Sequence, residues 1–317
     1  MAYSAGDTIL DDEYNNFLNN SSSPFGINHI GGTGSAQYGL GESAVSTVSA
    51  GNAINASEWN ALFAAMDIVA AHTQTSINST SSKSAGDSIA IRSTLVANLA
   101  SLATAVAGGS TGTAAITTSG TLQTGSSSST WYGSFTTTMT INFANADKMR
   151  HFFNAGGKIR VHAARTGNGA TGGGATGKDN SWTAIYNALG NLDIKSQTSS
   201  RSGSGETFTD NLARGFHDLT TSHQNICTVA DDSYPYTANT MEITAKLNAA
   251  VGSATSMEIK MIATDGAADT TFDGNSADQT AYRNGTHQHY LKSVNTTSAN
   301  LTNAHAPSGS SNSASTS

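Results

Sequence analysis

MRHFFNAGGKIRVHAART, residues Met149 to Thr166, is the stretch on which the reading of this chain turns. Asn145 or Asp147 stands just ahead of it as a helix cap, and Met149, Phe152 and Phe153 then fall on one helical face directed at a core. Gly156 or Gly157 supplies the left-handed residue that ends such a helix, a conformation that side chains resist. In KIRVHA the period changes to two, which sends Ile159, Val161 and Ala163 inward and Lys158, Arg160 and His162 outward. A short helix folded back on a strand is a packing corner, not a reaction centre.

The strand reading extends in both directions. WYGSFTTTMTINFA (131–144) carries the aromatic and threonine enrichment and the alternation of a half-buried strand. MEITAKL and SMEIKMIAT alternate too, with Met241, Ile243 and Leu247 on one face and Met257, Ile259 and Met261 on another, and the pair is expected to form a hairpin. The amino-terminal third reads differently. AGDTILDDEYNNF (5–17) is echoed by AGNAINASEWNAL (50–62), and more loosely by AGDSIAIRSTLVANL from Ala85. In each clear copy a glycine turn leads to a buried Ile9 or Ile54, then to Asp11 or Asn55 as a cap. The helix that follows turns Tyr14 and Phe17, or Trp59 and Leu62, inward. The second helix is expected to continue through FAAMDIVAAHTQ, and GGTGSAQYGLGE between the copies is a fixed loop.

The expected architecture is therefore α+β, mainly β. A helical, repeat-bearing anchoring region spans 1–105 and a Gly/Ser/Thr linker arm 106–130. A β-sandwich-like antiparallel domain with short helices spans 131–295, and a loose polar tail 296–317.

Composition narrows function. The hydrophobic fraction is 37% and the charged fraction 12%, against roughly 45–50% and about 25% in ordinary domains. Such a chain buries little apolar surface per residue and leans on hydrogen bonds or on neighbouring subunits. The formal charge is −7 with scattered Lys and Arg, which argues against a nucleic-acid partner. Neither a secretory signal nor a long apolar run is present, so no membrane partner is expected. The single cysteine, Cys227, reads as a small core residue.

Several patterns imitate chemistry. GGGATGKD (172–179) has phosphate-loop spacing, but Asp179 stands where a magnesium-binding hydroxyl belongs. GGSTG fits a serine-nucleophile pattern around Ser110, within a tract too poor in apolar residues to build the strained elbow. His287 and His289, two apart, point the same way in a strand, where three chains on an axis would enclose a metal; the plainer expectation is a solvated loop with neutral histidines. Asp265, Asp269, Asp273 and Asp278 form an acidic loop without EF-hand spacing. Asp231 with Asp232, and Asp11, Asp12 and Glu13, are the only paired carboxylates to consider for glycan cleavage, and a helix amino terminus accounts for the second set. No catalytic, cofactor-binding or metal-binding residue is assigned, and the chain is expected not to be an enzyme.

FFNAGGKIRVHAARTG followed by NSWTAIYNALGNLDI, together with DDEYNNFLN, GTGSAQYGLGES and ASEWNALFAAMDIVAAHTQ, resembles virion structural proteins of tailed bacteriophages, notably those of marine cyanophages. The likeness spans roughly residues 5–75 and 131–195. It implies a non-enzymatic particle component of the tail, neck, collar, baseplate or fibre apparatus. Such a protein is assembled in the host cytoplasm as a homo-oligomer, a trimer or hexamer, with other virion proteins as partners. The alternative expectation is a tail adhesin that holds host glycans through a Ser/Thr/Asn-rich surface and the aromatic residues Trp131, Tyr282 and Tyr290.

Overall fold

The computed structural model describes residues 10–89, 91–109, 116–118, 123–127, 133–166, 175–267, 286–296, 300–301 and 305–316. They form an α+β protein with two antiparallel sheets around a β-sandwich-like core. The chain divides into two compact units. The first comprises 1–117, 150–157 and 295–305, the second 118–149, 158–294 and 306–317.

In the first unit the three repeat copies yield three helices: α1 (Asp11–Asn19), α2 (Ala56–Thr73) and α3 (Arg92–Ala107). Tyr14, Phe17, Trp59 and Leu62 are buried as expected, and Tyr14 meets Trp59 edge to face at 5.2 Å. The Tyr14 hydroxyl donates to the Glu58 carbonyl at 2.9 Å, so the first copy is bolted to the second. Capping differs between the copies. Asn55 and Glu58 form a reciprocal capping box on α2. Asp11, expected as the cap of α1, is instead its first helical residue, with Leu10 at the cap position; the carboxylates of Asp11, Asp12 and Glu13 lie in the first turn, where the helix dipole favours them.

The asparagine shared by the two copies has its own task. Asn15 takes the Val48 N–H on its side-chain oxygen (2.9 Å) and donates its amide to the Val48 carbonyl (2.8 Å), as a neighbouring strand would. Asn60 does the same to Lys83 at 2.8 and 3.0 Å. Asn28 clamps Val45 and Asn98 clamps Asn78 in the same way. Four side chains thus satisfy both backbone groups of four loop residues, each bond worth about 0.5–1.5 kcal/mol net and costly to leave unmade. The low apolar content of the sequence is offset here by side-chain amides standing in for a sheet.

The second unit is built from strands. One sheet has the order β1 (Ile116–Thr118), β11 (Thr286–Thr296), β4 (Lys158–Thr166), β5 (Leu192–Ile194), β6 (Ser199–Arg201), and β2 (Gln123–Ser127) also pairs with β11. The other runs β12 (Gly309–Thr316), β3 (Ser134–Asn142), β10 (Ser256–Thr264), β9 (Thr240–Leu247), β8 (Gln224–Ala230), β7 (Thr207–Asp210). The expected β9–β10 hairpin is present, with Met257 opposite Leu247 and Met261 opposite Ile243. Phe135, Met139, Ile141, Met241, Ile243, Met257, Ile259 and Met261 are all fully buried. Helix α5 (Ala175–Leu189) adds Trp182, Ile185, Tyr186 and Leu189 to this core.

The corner motif behaves as its spacing predicts at both ends. Helix α4 (Ala146–Asn154) is capped by Asn145, whose side chain accepts the Lys148 N–H at 2.8 Å. Gly156 takes φ +88, and a β-carbon on Gly157 would lie 2.6 Å from the Phe152 ring. Ile159, Val161 and Ala163 are buried on β4. The expected domain limits change in three places. Residues 150–157 cluster with the first unit. Residues 116–118 and 123–127 of the supposed arm are strands, and residues 309–316 of the supposed loose tail pair with β3 from Gly309 opposite Asn142 to Thr316 opposite Phe135. Serine and threonine satisfy an edge ladder through the backbone alone, so a polar composition conceals such strands from any hydrophobic pattern.

Candidate functional site

The side of α4 turned away from Met149, Phe152 and Phe153 meets the glycine-rich loop 33–41. Arg150 and His151 are buried, with Asn154. The Arg150 guanidinium donates to the carbonyls of Tyr38 and Thr33. Asn154 donates to the Tyr38 carbonyl at 2.9 Å and approaches those of Ala36 and Gly39. These are the carbonyls of GTGSAQYGLGES, whose Gly34, Gly39 and Gly41 all adopt positive φ. A loop bent this sharply turns its carbonyls outward from its own hydrogen bonds, and a cation and an amide on a helix collect them. The corner therefore holds a loop in shape.

Among the described residues the most exposed aromatic side chain lies elsewhere. Tyr234, 76% exposed, stands in the turn between β8 and β9. Beside it, Glu206, Asp231 and Asp232 form the only set of three His, Cys, Asp or Glu side chains among the described residues whose ligand atoms lie within 4.8 Å of one another. The turn uses these carboxylates itself. Glu206 accepts the Asp232 N–H at 2.8 Å, Asp231 the Ser233 N–H at 2.7 Å, and Asp232 the Ser233 hydroxyl at 3.0 Å. Burial, and after it the charges of Asp231 and Asp232, push the Glu206 carboxyl up from its ordinary value. Three carboxylate oxygens suit a hard cation or the hydroxyls of a sugar. Their mutual spacing is tighter than the roughly 5–5.5 Å gap of a retaining glycosidase pair. Sequence reading picked out Asp231 and Asp232 but not Glu206, which reaches them only through the pairing of β7 with β8. Tyr234 was not singled out in the sequence.

His287 and His289 do point the same way from a strand, but inward. Both are 0% exposed, so neither a solvated loop nor a metal shared on a subunit axis describes them. Tyr186 hydrogen-bonds His287 Nδ1 at 2.8 Å. Thr137 bonds His289 Nδ1 at 3.0 Å, and Phe135 packs on the His289 ring at 4.5 Å. Burial, then the neighbouring His287, lowers His289 to about 3, so it is neutral at ordinary pH.

The other patterns are likewise drawn into the frame. Asp179 pairs with Arg165, and residues 172–174 lie outside the described residues, as do Ser110, Asp269, Asp273 and Asp278. Cys227 is buried in β8, with its thiol pushed up to about 12 by burial. Among the aromatic residues considered for glycan contact, Tyr290 is half-buried and stacked on His162 at 4.4 Å, with Trp131 and Tyr282 outside the described residues. Among the described residues no helix is long and apolar enough to cross a membrane. No family model, curated protein or solved structure matches the chain.

Proposed function

We propose that the chain is a non-enzymatic structural component of a tailed-phage particle, of the tail, neck or fibre apparatus, working in symmetric copies. The observation that carries the reading is the join between Arg150, His151 and Asn154 and the loop 33–41. The two sequence motifs that resemble phage virion proteins are parts of one loop-shaping device, which suits a shaped building piece. The fate of the chemically capable side chains agrees with this: His287, His289, Cys227 and Asp179 all serve packing or pairing inside the fold. The host cytoplasm is then the place of assembly, and other virion proteins are the partners.

Sedimentation of the purified full chain at micromolar concentration tests the symmetric-copy part of the proposal. A trimer or hexamer is expected; a monomer that stays monomeric in the presence of the particle's other tail proteins contradicts it.

A second reading, a glycan-holding adhesin, is favoured by one observation: the exposed Tyr234 lies two residues along the same turn from Asp232 of the Glu206, Asp231 and Asp232 carboxylate group. An aromatic face for stacking beside hydrogen-bond acceptors is how sugars are held. Binding of the chain to host envelope that is lost in Tyr234→Ala would support it.

A further inference from the structure

Strand β12 (Gly309–Thr316) is an edge of its sheet and, among the described residues, pairs with β3 alone. Ser310, Asn312, Ala314 and Thr316 stand opposite Ile141, Met139, Thr137 and Phe135, all fully buried, so they lie on the core side of the sheet. Asn312 fits this orientation, donating to the Thr124 carbonyl of β2 at 2.6 Å. Ser311, Ser313 and Ser315 lie on the outer side, opposite Thr140, Thr138 and Thr136. Gly309 and every residue from Ser311 to Thr316 are exposed, whichever side they are on.

An antiparallel strand turns the N–H and C=O of every second residue away from its one neighbour. Such an edge is a template for another strand, and proteins blunt it with short strands, charges, prolines, bulges or a covering segment. The opposite edge of the same sheet is blunted: β7 has four residues, ends in Asp210, and has the Arg201 guanidinium over Phe208 at 3.6 Å. Of these devices β12 shows none among the described residues. It has eight residues, GSSNSAST, without charge or proline, and its register against β3 runs without a break.

Composition also selects the partner. The chain carries a formal charge of −7, which opposes contact between copies, yet neither β12 nor β3 contains a charged residue. Strand addition takes its affinity from main-chain bonds and its selectivity from pockets for alternate side chains. Serine, alanine and threonine build no such pockets, so bulky or charged side chains gain nothing here. A second GSSNSAST meets the first without steric or charge conflict. Identical strands that pair antiparallel are related by a two-fold axis, each offering the same surface to the other. To keep core side with core side, the axis passes through a residue and not between two. Asn312 and Ser313 are the central ones.

We propose that β12 is an interface between copies of this chain: its outer edge pairs antiparallel with β12 of a second copy, joining two six-stranded sheets into one. The proposal rests on the symmetric-copy reading above in naming a second copy as the occupant. Where copies also meet around a three-fold axis, this contact joins two trimers into a hexamer.

The test is sedimentation of the purified full chain against a variant carrying both Ser311→Lys and Ser313→Lys, exposed positions on the outer side. The wild type should contain an even number of copies, and the lysines should weaken the two-fold contact by about tenfold or more. Directly opposite Cα atoms in such a pair lie about 4.5–5.5 Å apart, within disulfide reach. Under mild oxidation either Asn312→Cys or Ser313→Cys should therefore form a covalent dimer, and Thr209→Cys on β7 should not; Cys227 is buried. Hydrogen exchange in wild-type residues 309–316 should slow as concentration rises, a readout that needs no variant. A wild-type trimer or monomer, full affinity in the lysine variant, no cross-link at either cysteine, or exchange independent of concentration overturns the proposal. A trimer does so while leaving the symmetric-copy reading intact; a two-fold dimer in a chain missing from the particle does the reverse.

Discussion

The two units solve one compositional problem in opposite ways. In the sandwich unit methionine and isoleucine alternate strictly with polar residues, so that Met241, Ile243, Met257, Ile259 and Met261 line one core. The helical unit has an aromatic centre around Trp59 and otherwise fixes its loops with polar side chains. Asparagine amides clamp Val45, Val48, Asn78 and Lys83, and Arg150 and Asn154 clamp the glycine loop. The difference teaches where specificity comes from when apolar residues are scarce. Alternation fixes a sheet without regard to partner identity, whereas a clamp requires one particular donor and acceptor at one particular place.

Substitutions can break or sharpen that contrast. The largest effect is expected in the two cores, where Trp59→Ala should cost about 3–5 kcal/mol and Ile259→Ala about 2–5 kcal/mol of stability in denaturant titration. Arg150→Gln should follow at about 3 kcal/mol, because two buried carbonyls lose a charged donor. Its mark should be local, with faster hydrogen exchange in residues 31–41 and little change in β9 and β10.

The third effect is a pH dependence in the sandwich. His289 is held near 3 in the folded chain and titrates near 6.5 when unfolded, so the unfolded state binds the extra proton. Stability from this group is therefore complete above about pH 6.5 and declines as pH falls toward 3, by roughly 1.4 kcal/mol for each pH unit. His289→Asn should flatten the loss between pH 6.5 and 4.5, read as the midpoint of urea unfolding. Asn60→Ala comes next at about 1–2 kcal/mol, since the Lys83 N–H and carbonyl lose both partners. Valine at the same position should do no better, because shape is not what the clamp supplies. Smallest of all, Ser311→Ala on β12, where backbone bonds carry the ladder, should stay within about 0.5 kcal/mol.

Much of the sandwich was legible in the sequence because alternation is a local signal. The β9–β10 hairpin, the buried face of β4 and the helix ending at Gly156 follow from residues close to one another. What escaped was carried by polar residues acting at long range. Arg150 and Asn154 look like the wet side of a helix until the loop around Tyr38, more than a hundred residues earlier, comes to meet them. The strand Gly309–Thr316 contains no apolar alternation, so its pairing with β3 could not be read from composition. His287 and His289 were expected on a solvated loop, and the strand alternative said that they would share a face but not that the face is buried. Asn15 and Asn60 stand at the same place in the two copies, but their duty is visible only with Val48 and Lys83 in place.

The proposed role is that of a building piece of a particle. Peptide-based mass spectrometry of purified phage particles, calibrated against the major capsid protein, measures this directly. A fixed copy number per particle that is a multiple of three or six is the predicted result. Absence of the chain from the particles, with an active free form in the infected cell, would contradict the account.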